Sequence, residues 1–236
     1  MKIEVSVLKS FINKVAMEGI SSISDCVLDF NSSGLLIRAV SAANTVMVNG
    51  VLEKSAFVDY KELGKLGIEN LAKLSKYLSR FDGTVKIAVK ENLLVITGNK
   101  KRVEVLLKDT DYVEQPPEYP RDIEKNYKGS IELEASAVKA FLDDVGIIGG
   151  TELDLIVKNK KLTVKSKNMD LIEEEVEVVN ISSDDLVVSL GVPFITAVKN
   201  LDGKVTLEMA ENYPVLVKDC GDNYEVKILV APIKEG

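Results

Sequence analysis

Apolar and polar residues alternate along much of this chain, in short segments typical of β-strands. Turn-forming pairs such as Asp82-Gly83 and Asp202-Gly203 separate many of these segments, as antiparallel hairpins require. The pattern predicts strands in the first half at Ser24–Phe30, Leu35–Val40, Thr45–Leu52, Val85–Val89, Leu93–Thr97 and Val103–Leu107. In the second half it predicts Leu153–Val157, Lys161–Ser166, Ile172–Val178, Leu186–Leu190, Val205–Met209, Val215–Lys218 and Tyr224–Val230.

Segments of a different period interrupt the strands. Within them apolar residues recur three and four positions apart, as in Leu8, Phe11, Ile12 and Val15, which is the spacing of an amphipathic helix. The spacing predicts helices over Val7–Glu18, Ile68–Phe81, Ala135–Val145 and Val192–Leu201. An α+β fold of antiparallel strands with a few short helices follows.

The second half of the chain repeats the order of elements in the first half. Phe11 corresponds to Phe141, Leu36 to Leu162 and Gly83 to Gly203, with an offset that shrinks because the second copy has shorter loops. Duplication of a unit of this length predicts two similar domains, at 1–108 and 129–236. Because repeated units often build symmetric objects, the repeat also suggests a ring or a repeating partner.

The segment between the repeats, 109–128, has no regular period. Pro116, Pro117 and Pro120 lie in it, half of the six prolines of the chain. Proline donates no backbone hydrogen bond and stiffens the chain, so we expect an extended interdomain connector.

The composition excludes several chemistries. The chain has no histidine, which removes Ser/His/Asp and Cys/His catalysis and the usual zinc and haem sites. Cys26 and Cys220 have no metal-binding spacing, so we interpret them as reduced thiols of a cytosolic type of compartment. No apolar run reaches membrane-spanning length. We therefore expect no catalytic residues, no metal, no cofactor and no membrane partner.

Basic residues collect on the predicted helices although the net charge is −7. Lys73, Lys76 and Arg80 share one side of their helix, opposite its leucines. Such a face suits the phosphates of double-stranded DNA, bound without regard to sequence, although a merely solvated helix face has the same composition. The candidate DNA-facing residues are Lys9, Lys14, Lys73, Lys76, Arg80, Lys139 and Lys199.

Two predicted strands carry opposite charge. The segment Lys100–Lys108 is basic at its start, and Leu171–Val179 is acidic. These strands suit head-to-tail pairing between copies, although charges also protect exposed sheet edges from unwanted pairing. The candidate subunit-interface residues are Lys101, Arg102, Val103, Val105, Glu173, Glu175, Val176 and Glu177.

Three segments carry a resemblance to a known family. They are FDGTVKIAVKENLLVIT at 81–97, GLLIRAVSAANTVMVNGVLEKSAFVDY at 34–60 and ENYPVLVKDCGDNYEVKILVAPIKEG at 211–236. Together they resemble the DNA sliding clamps of the proliferating-cell-nuclear-antigen (PCNA) family, of archaeal and eukaryotic type. The resemblance covers the whole chain and is most specific at Ala231-Pro232. Ser41 and Leu229 depart from it, because the family often has an acidic and an aromatic residue there. A diverged, viral or plasmid-borne member fits these departures.

The resemblance implies a homotrimeric ring around duplex DNA, with two helices of each domain on the inner face and antiparallel sheets outside. Such a ring is a processivity factor that tethers DNA polymerase and other enzymes, and an ATP-dependent clamp loader opens it. It works in the cytoplasm or nucleoid, or in the nucleus of a eukaryote. Partner peptides enter a groove that the resemblance places at Val40, Val46, Met47, Tyr119, Ile123, Pro214, Leu229, Ala231 and Pro232. From the residues alone, ordinary core and loop packing explains these apolar side chains equally well.

Other classes of function stay open. The chain could be a monomeric DNA-binding processivity factor that forms no ring, or one subunit of a heteromeric clamp. A β-rich enzyme or carrier is the third alternative. Glu173–Glu175 alternate between the two faces of a strand, so they do not converge as a catalytic pair or a metal site does.

Overall fold

The computed structural model describes residues 1–17, 23–117, 123–183 and 185–233. The chain divides into two units. Unit 1 comprises Met1–Pro117 and Cys220–Val226, and unit 2 comprises Glu118–Asp219 and Lys227–Gly236. The division between Pro117 and Glu118 falls inside the segment predicted as a connector, while a piece of the last hairpin belongs to unit 1.

Unit 1 contains two antiparallel sheets and two helices. One sheet has the strand order β5-β1-β7-β8-β9, and in the other the pairing runs β4-β3-β2-β6. The elements are β1 (Lys2–Glu4), α1 (Val5–Ala16), β2 (Cys26–Asn31), β3 (Gly34–Val40), β4 (Val46–Glu53), β5 (Phe57–Asp59), β6 (Gly64–Ile68), α2 (Leu71–Leu78), β7 (Thr84–Lys90), β8 (Leu93–Gly98) and β9 (Lys101–Leu106).

Unit 2 repeats this arrangement. Its elements are β10 (Gly129–Glu134), α3 (Ala135–Ile147), β11 (Glu152–Lys158), β12 (Lys161–Lys167), β13 (Leu171–Val176), β14 (Asn180–Ser183), β15 (Leu186–Gly191), α4 (Val192–Lys199), β16 (Lys204–Met209), β17 (Val215–Gly221) and β18 (Tyr224–Val230). The pairings β14-β10-β16-β17 and β13-β12-β11-β15 follow the same order as in unit 1. The predicted α+β class and the duplication of the fold are confirmed.

Apolar residues of the helices form the centre of each unit. Phe11 of α1 and Phe141 of α3 occupy corresponding positions and are 2% and 0% exposed. Helix α1 packs against α2, and the hydroxyl of Ser75 donates a hydrogen bond to the side-chain oxygen of Asn13 between them. Helix packing buries one stripe of each helix and leaves the opposite stripe accessible.

Helix boundaries depend on local capping that periodicity does not reveal. The predicted helix Ile68–Phe81 begins only at Leu71, because the side chain of Asn70 accepts a hydrogen bond from the Lys73 amide at 2.7 Å and Ile68 ends β6. Helix α1 ends at Ala16, where Met17 takes a left-handed conformation, rather than at Glu18, which lies outside the described residues.

The strand ranges predicted from the sequence leave out β1 and β10, which open the two repeats, and the short strands β5, β6 and β14. The last three contain three to five residues, too few for alternation to be distinctive. The strand registers also correct one correspondence between the repeats. Leu35 faces Phe30 across its hairpin as Leu162 faces Val157, so Leu162 corresponds to Leu35 and not to Leu36.

Candidate functional site

Three of the candidate DNA-facing residues form an exposed basic face in unit 1. Lys73, Lys76 and Arg80 are exposed on and just after α2, while Leu71 and Leu74 are buried on its other side. The helix is oriented by this burial, so its basic side points to solvent. Lys9 on α1 is half-buried.

Lys14 does not join that face, and the prediction that it contacts DNA is wrong. Its side chain is 2% exposed, and its Nζ atom lies 5.2 Å from the centre of the Tyr224 ring within unit 1. A cation over an aromatic ring is attracted by the negative face of that ring. The segment Cys220–Val226 therefore covers a lysine that the sequence leaves on the surface of a helix.

The helices of unit 2 are less basic. Lys199 of α4 is exposed, but Lys139 of α3 lies 3.3 Å from a carboxylate oxygen of Asp202. Asp143 and Asp144 are exposed on α3 as well. The accessible positive charge of the helices is therefore concentrated on α2.

The two strands of opposite charge are both sheet edges. β9 is the last strand of its five-stranded sheet and β13 is the last strand of its four-stranded sheet, so in the described part of the chain neither has a neighbour on its outer side. An outer edge offers unpaired backbone N–H and C=O groups to another strand. Both β9 and β13 can therefore pair with a further strand on their outer side.

Charged side chains on these edges have partners within their own unit. On β9, Lys101 donates to the Arg80 carbonyl oxygen at 2.6 Å, and Arg102 forms an ion pair with Glu104. On β13, a carboxylate oxygen of Glu175 lies 2.9 Å from the Nζ atom of Lys161, and one of Glu173 lies 3.9 Å from the Nζ atom of Lys165. These pairs are exposed, so they contribute about 0–1 kcal/mol each and can be exchanged for others.

Apolar side chains complete both edges. Leu106 at the end of β9 is 65% exposed and Leu171 at the start of β13 is 54% exposed. Val103, Val105 and Ile172 are half-buried. Val176, a candidate interface residue, is instead buried in unit 2 at 4% exposure. The edges thus combine backbone groups, charge and accessible apolar surface.

The candidate peptide-binding residues of unit 1 differ in accessibility. Val40 and Met47 are half-buried, whereas Val46 is buried at 1% exposure. The Val46 amide donates to the Ser41 hydroxyl oxygen at 3.1 Å and thereby holds the loop between β3 and β4. Val46 therefore supports the loop and offers no surface to a partner.

In unit 2 two of the candidate peptide-binding residues are likewise buried. Pro214, Ala231 and Pro232 are half-buried, while Ile123 and Leu229 are buried at 4% and 8% exposure. Tyr119 lies outside the described residues. Ile123 and Leu229 were expected to contact a partner, but they belong to the core.

A pocket of about 160 Å³ lies beside Pro232 in unit 2. The Ile233 amide donates to the Ser189 carbonyl oxygen at 2.9 Å and fixes the chain along this pocket. Val187 is not among the residues predicted to bind a partner; it is 51% exposed because the alternation along β15 turns it outward. The lining residues are Val187, Val188, Ser189, Glu211, Asn212, Pro232 and Ile233.

The end of the connector is attached to unit 2 by charge. The carboxylate oxygens of Glu124 lie 3.1 Å from the Nζ atom of Lys218 and 3.3 Å from that of Lys227. The Nζ atom of Lys218 also lies 3.2 Å from a carboxylate oxygen of Glu208. The hydrogen bond from Lys218 is the main reason that the pKa of Glu124 lies below its usual value, and Lys227 adds to it. Residues 123–126 form a short 3₁₀ turn that carries this carboxylate.

No helix among the described residues is long and apolar enough to cross a membrane. The described residues also contain no cluster of three or more acidic or cysteine side chains that could hold a metal ion.

Comparison with known proteins identifies the fold. The sequence matches no protein-family model and no curated protein. Among solved structures, A. fulgidus PCNA bound to the C-terminal region of FEN-1 superposes with a TM-score of 0.85 at 18% identity, over 100% of this chain and 98% of the other. A chain of the PCNA2–PCNA3 complex of Sulfolobus tokodaii superposes with a TM-score of 0.81 at 15% identity, over 99% of both chains. PCNA of Entamoeba histolytica superposes with a TM-score of 0.80 at 20% identity, over 99% of this chain and 98% of the other. The whole chain therefore has the fold of the PCNA proteins.

Proposed function

We propose that the chain is the subunit of a DNA sliding clamp, which encircles duplex DNA and tethers replication and repair enzymes to it. The observation that carries this proposal is the superposition on PCNA proteins over the entire chain, with both repeats included. A clamp acts by topology and raises the local concentration of its partners, so it needs no catalytic residue.

The exposed face of α2 suits the DNA side of such a clamp. Lys73, Lys76 and Arg80 are flexible cations above a buried leucine stripe, and they can follow phosphates without a fixed geometry. The net charge of −7 leaves the remaining surface predominantly acidic, which disfavours DNA at any other position.

Self-assembly follows from the two open edges. We infer that β9 of one copy pairs with β13 of the next, so that the same contact repeats head to tail. Three copies closing into a ring are our proposal for the assembled form. Backbone pairing and the exposed Leu106 and Leu171 supply most of the affinity, since exposed ion pairs contribute little.

Partner proteins bind the outer surface through short peptides in this proposal. The A. fulgidus PCNA structure contains the C-terminal region of FEN-1, which supports peptide binding by this fold. In unit 2 the pocket beside Pro232 offers exposed Val187 to an apolar anchor. A DNA polymerase and an ATP-dependent loader are the expected partners, in whichever compartment holds the DNA.

Threading onto DNA tests the proposal directly. Linear duplex DNA is fixed to a bead by one end, the protein is added at low salt, and a bulky protein then blocks the free end. When the salt is raised, a closed ring stays only on blocked DNA, because screening weakens every attraction to the phosphates and leaves only the topological link. Retention that is the same with free and blocked ends would overturn the clamp proposal and favour a monomeric DNA-binding factor.

A charge-matched pair of variants tests the DNA face. Replacement of Lys73, Lys76 and Arg80 by Ala should lower the slope of log affinity against log salt by up to about 2.7, at about 0.9 for each phosphate that is no longer neutralised. Replacement of Lys61, Lys86 and Lys90, which are exposed residues of unit 1 outside its two helices, removes the same charge. Equal slopes for the two triple variants would place the DNA elsewhere.

A second pair of variants tests the peptide pocket. Val187→Glu puts a charge into the pocket of unit 2, whereas Val58→Glu puts one on a 67% exposed valine of unit 1. We expect only Val187→Glu to reduce binding of a peptide from the polymerase, measured by calorimetric titration. Met47→Glu tests the half-buried surface of unit 1 in the same assay.

A further inference from the structure

The chain after β9 is attached to the edge of the second sheet of unit 1. The Lys108 amide donates a hydrogen bond to the Gly67 carbonyl oxygen at 2.9 Å, on β6, the last strand of that sheet. The Nζ atom of Lys108 also lies 2.7 Å from a carboxylate oxygen of Asp25. The side chain of Asp109 then accepts a hydrogen bond from the Asp111 amide and caps a short 3₁₀ turn. These bonds fix the start of the segment that follows.

Residues 113–117, called the strap below, continue from this turn across the outer face of the sheet. Val113 is 4% exposed, and one of its methyl carbons lies 3.3 Å from the position that a Cβ atom would take at Gly67. Because glycine has no side chain, the strap can lie close to the backbone of β6 there. At the far end, the Arg38 guanidinium on β3 donates a hydrogen bond to the Pro117 carbonyl oxygen at 2.8 Å. The strap therefore reaches from β6 to β3.

The strand registers place both of these contacts on a single row across the sheet. Gly67 faces Val27 of β2, and Val27 faces Arg38. Residues that face each other in antiparallel strands project to the same side, so these three positions share one face. Gly67 and Arg38 are two strand spacings apart, about 9.6 Å, and the four residue steps of the strap can span about 13 Å. The strap is long enough to cross β2 along this row.

Burial along β2 agrees with this path. Cys26, Leu28 and Phe30 point into the core and are at most 2% exposed. Val27 alternates with them and points to the outer face, where a strand residue is accessible unless another segment covers it. Val27 is only 7% exposed, so its side chain is covered. A strap that crosses its row accounts for this cover.

The strap is also stiff. It contains Pro116, which is buried, and Pro117, and the ring of each proline fixes its φ angle. A stiff segment has few conformations, so a hydrogen bond at its end constrains its whole course. The Arg38 guanidinium suits such a bond, since it is always charged and a charged donor binds a carbonyl oxygen more strongly than a neutral one.

We propose that Arg38 is a positioning residue for partner peptides, because it holds the end of the strap beside the surface that receives them. Val40 lies two positions after Arg38 on the same face of β3, and Met47 of β4 faces Val40. Both are half-buried candidate peptide-binding residues. The proposal rests on the peptide binding proposed above and adds the residue that places the strap next to this surface.

Proteolysis reads the position of the strap without any peptide. A protease that cleaves after glutamate is added to the native protein, and mass spectrometry follows the cut after Glu114, which is exposed within the strap. Cleavage requires a segment that leaves the sheet, so its rate reports how often the strap detaches. Arg38→Ala should speed this cut about fivefold, because it removes a charged hydrogen-bond donor. Lys86→Ala removes a cation from the other sheet of unit 1 and should leave the rate unchanged.

Peptide affinity is then measured on the same variants by calorimetric titration, with the polymerase peptide used for Val187→Glu above. Arg38→Ala should weaken binding about fivefold through the displaced strap. Arg38→Lys keeps a charged donor and should restore both the affinity and the slow cleavage to within about twofold. Met47→Glu should weaken binding but leave the cleavage rate unchanged, since it alters the surface and not the strap.

The two measurements separate this inference from the proposed function. Unchanged cleavage in Arg38→Ala would overturn the inference even if the affinity fell, because Arg38 would then contact the peptide without placing the strap. Faster cleavage with unchanged affinity would overturn it as well. A wild-type chain that binds no peptide would overturn the proposed peptide binding and this inference together, and the cleavage rates would still show whether Arg38 holds the strap.

Discussion

Helical spacing in the sequence places Lys14 on an exposed face, but the structure buries it. Its replacement therefore gives the sharpest test of the structure. Lys14→Ala removes three methylene groups from a side chain that is 2% exposed, which costs about 2.4 kcal/mol at about 0.8 kcal/mol each. It also removes a cation 5.2 Å from the centre of the Tyr224 ring, a desolvated contact of about 1–2 kcal/mol. We expect the variant to lose about 3.5–4.5 kcal/mol of unfolding free energy.

Urea unfolding followed by circular dichroism measures this loss. Lys14→Met is the matched variant, since it keeps an apolar chain and loses only the charge, and it should cost about half as much. Lys76→Ala, on the exposed face of α2, should change stability by less than about 0.5 kcal/mol and weaken DNA binding instead. If Lys14→Ala retained wild-type stability but bound DNA as weakly as Lys76→Ala, the burial argument would be refuted.

Three other predictions follow from packing and titration. Gly67→Ala should destabilise unit 1 by about 2 kcal/mol or more in urea unfolding, because its Cβ would lie 2.3 Å from the Lys108 carbonyl oxygen. The pKa of Glu124 is lowered on folding, so the stabilisation by this carboxylate is fully present above the unfolded pKa of about 4.3 and disappears as the pH falls. In Glu124→Gln the free energy of unfolding should therefore decrease less steeply as the pH falls below this value. Burial, together with the negative charges of Glu62 and Asp29, raises the pKa of Tyr60 to about 12. The unfolded chain therefore loses this proton at a lower pH than the folded chain, so the free energy of unfolding should fall between about pH 10 and 12. The fall should be smaller in Tyr60→Phe.

Local patterns predicted most of the secondary structure. Alternation located the longer strands, and helical spacing located α1, α2, α3 and α4, because both depend on neighbours within a few residues. The short strands β5, β6 and β14 were missed for the same reason, since three to five residues give too little pattern.

The candidate surfaces were only partly predictable. The exposure of Lys73, Lys76 and Arg80 followed from helical spacing and is seen in the structure. Val46, Ile123 and Leu229 were assigned to a groove from a resemblance, but they are buried. An apolar residue at a strand end has no local feature that separates a core position from a binding surface.

The sequence by itself determined the duplicated unit, its helices and longer strands, and the opposite charges of the segments at β9 and β13. These properties are read from composition and short-range periodicity, which the chain carries before it folds. The tertiary structure alone decided that both charged segments are sheet edges and that segment Cys220–Val226 covers Lys14. The reason is that edges, covers and pockets depend on which distant segments pack together, and no window along the chain contains that information.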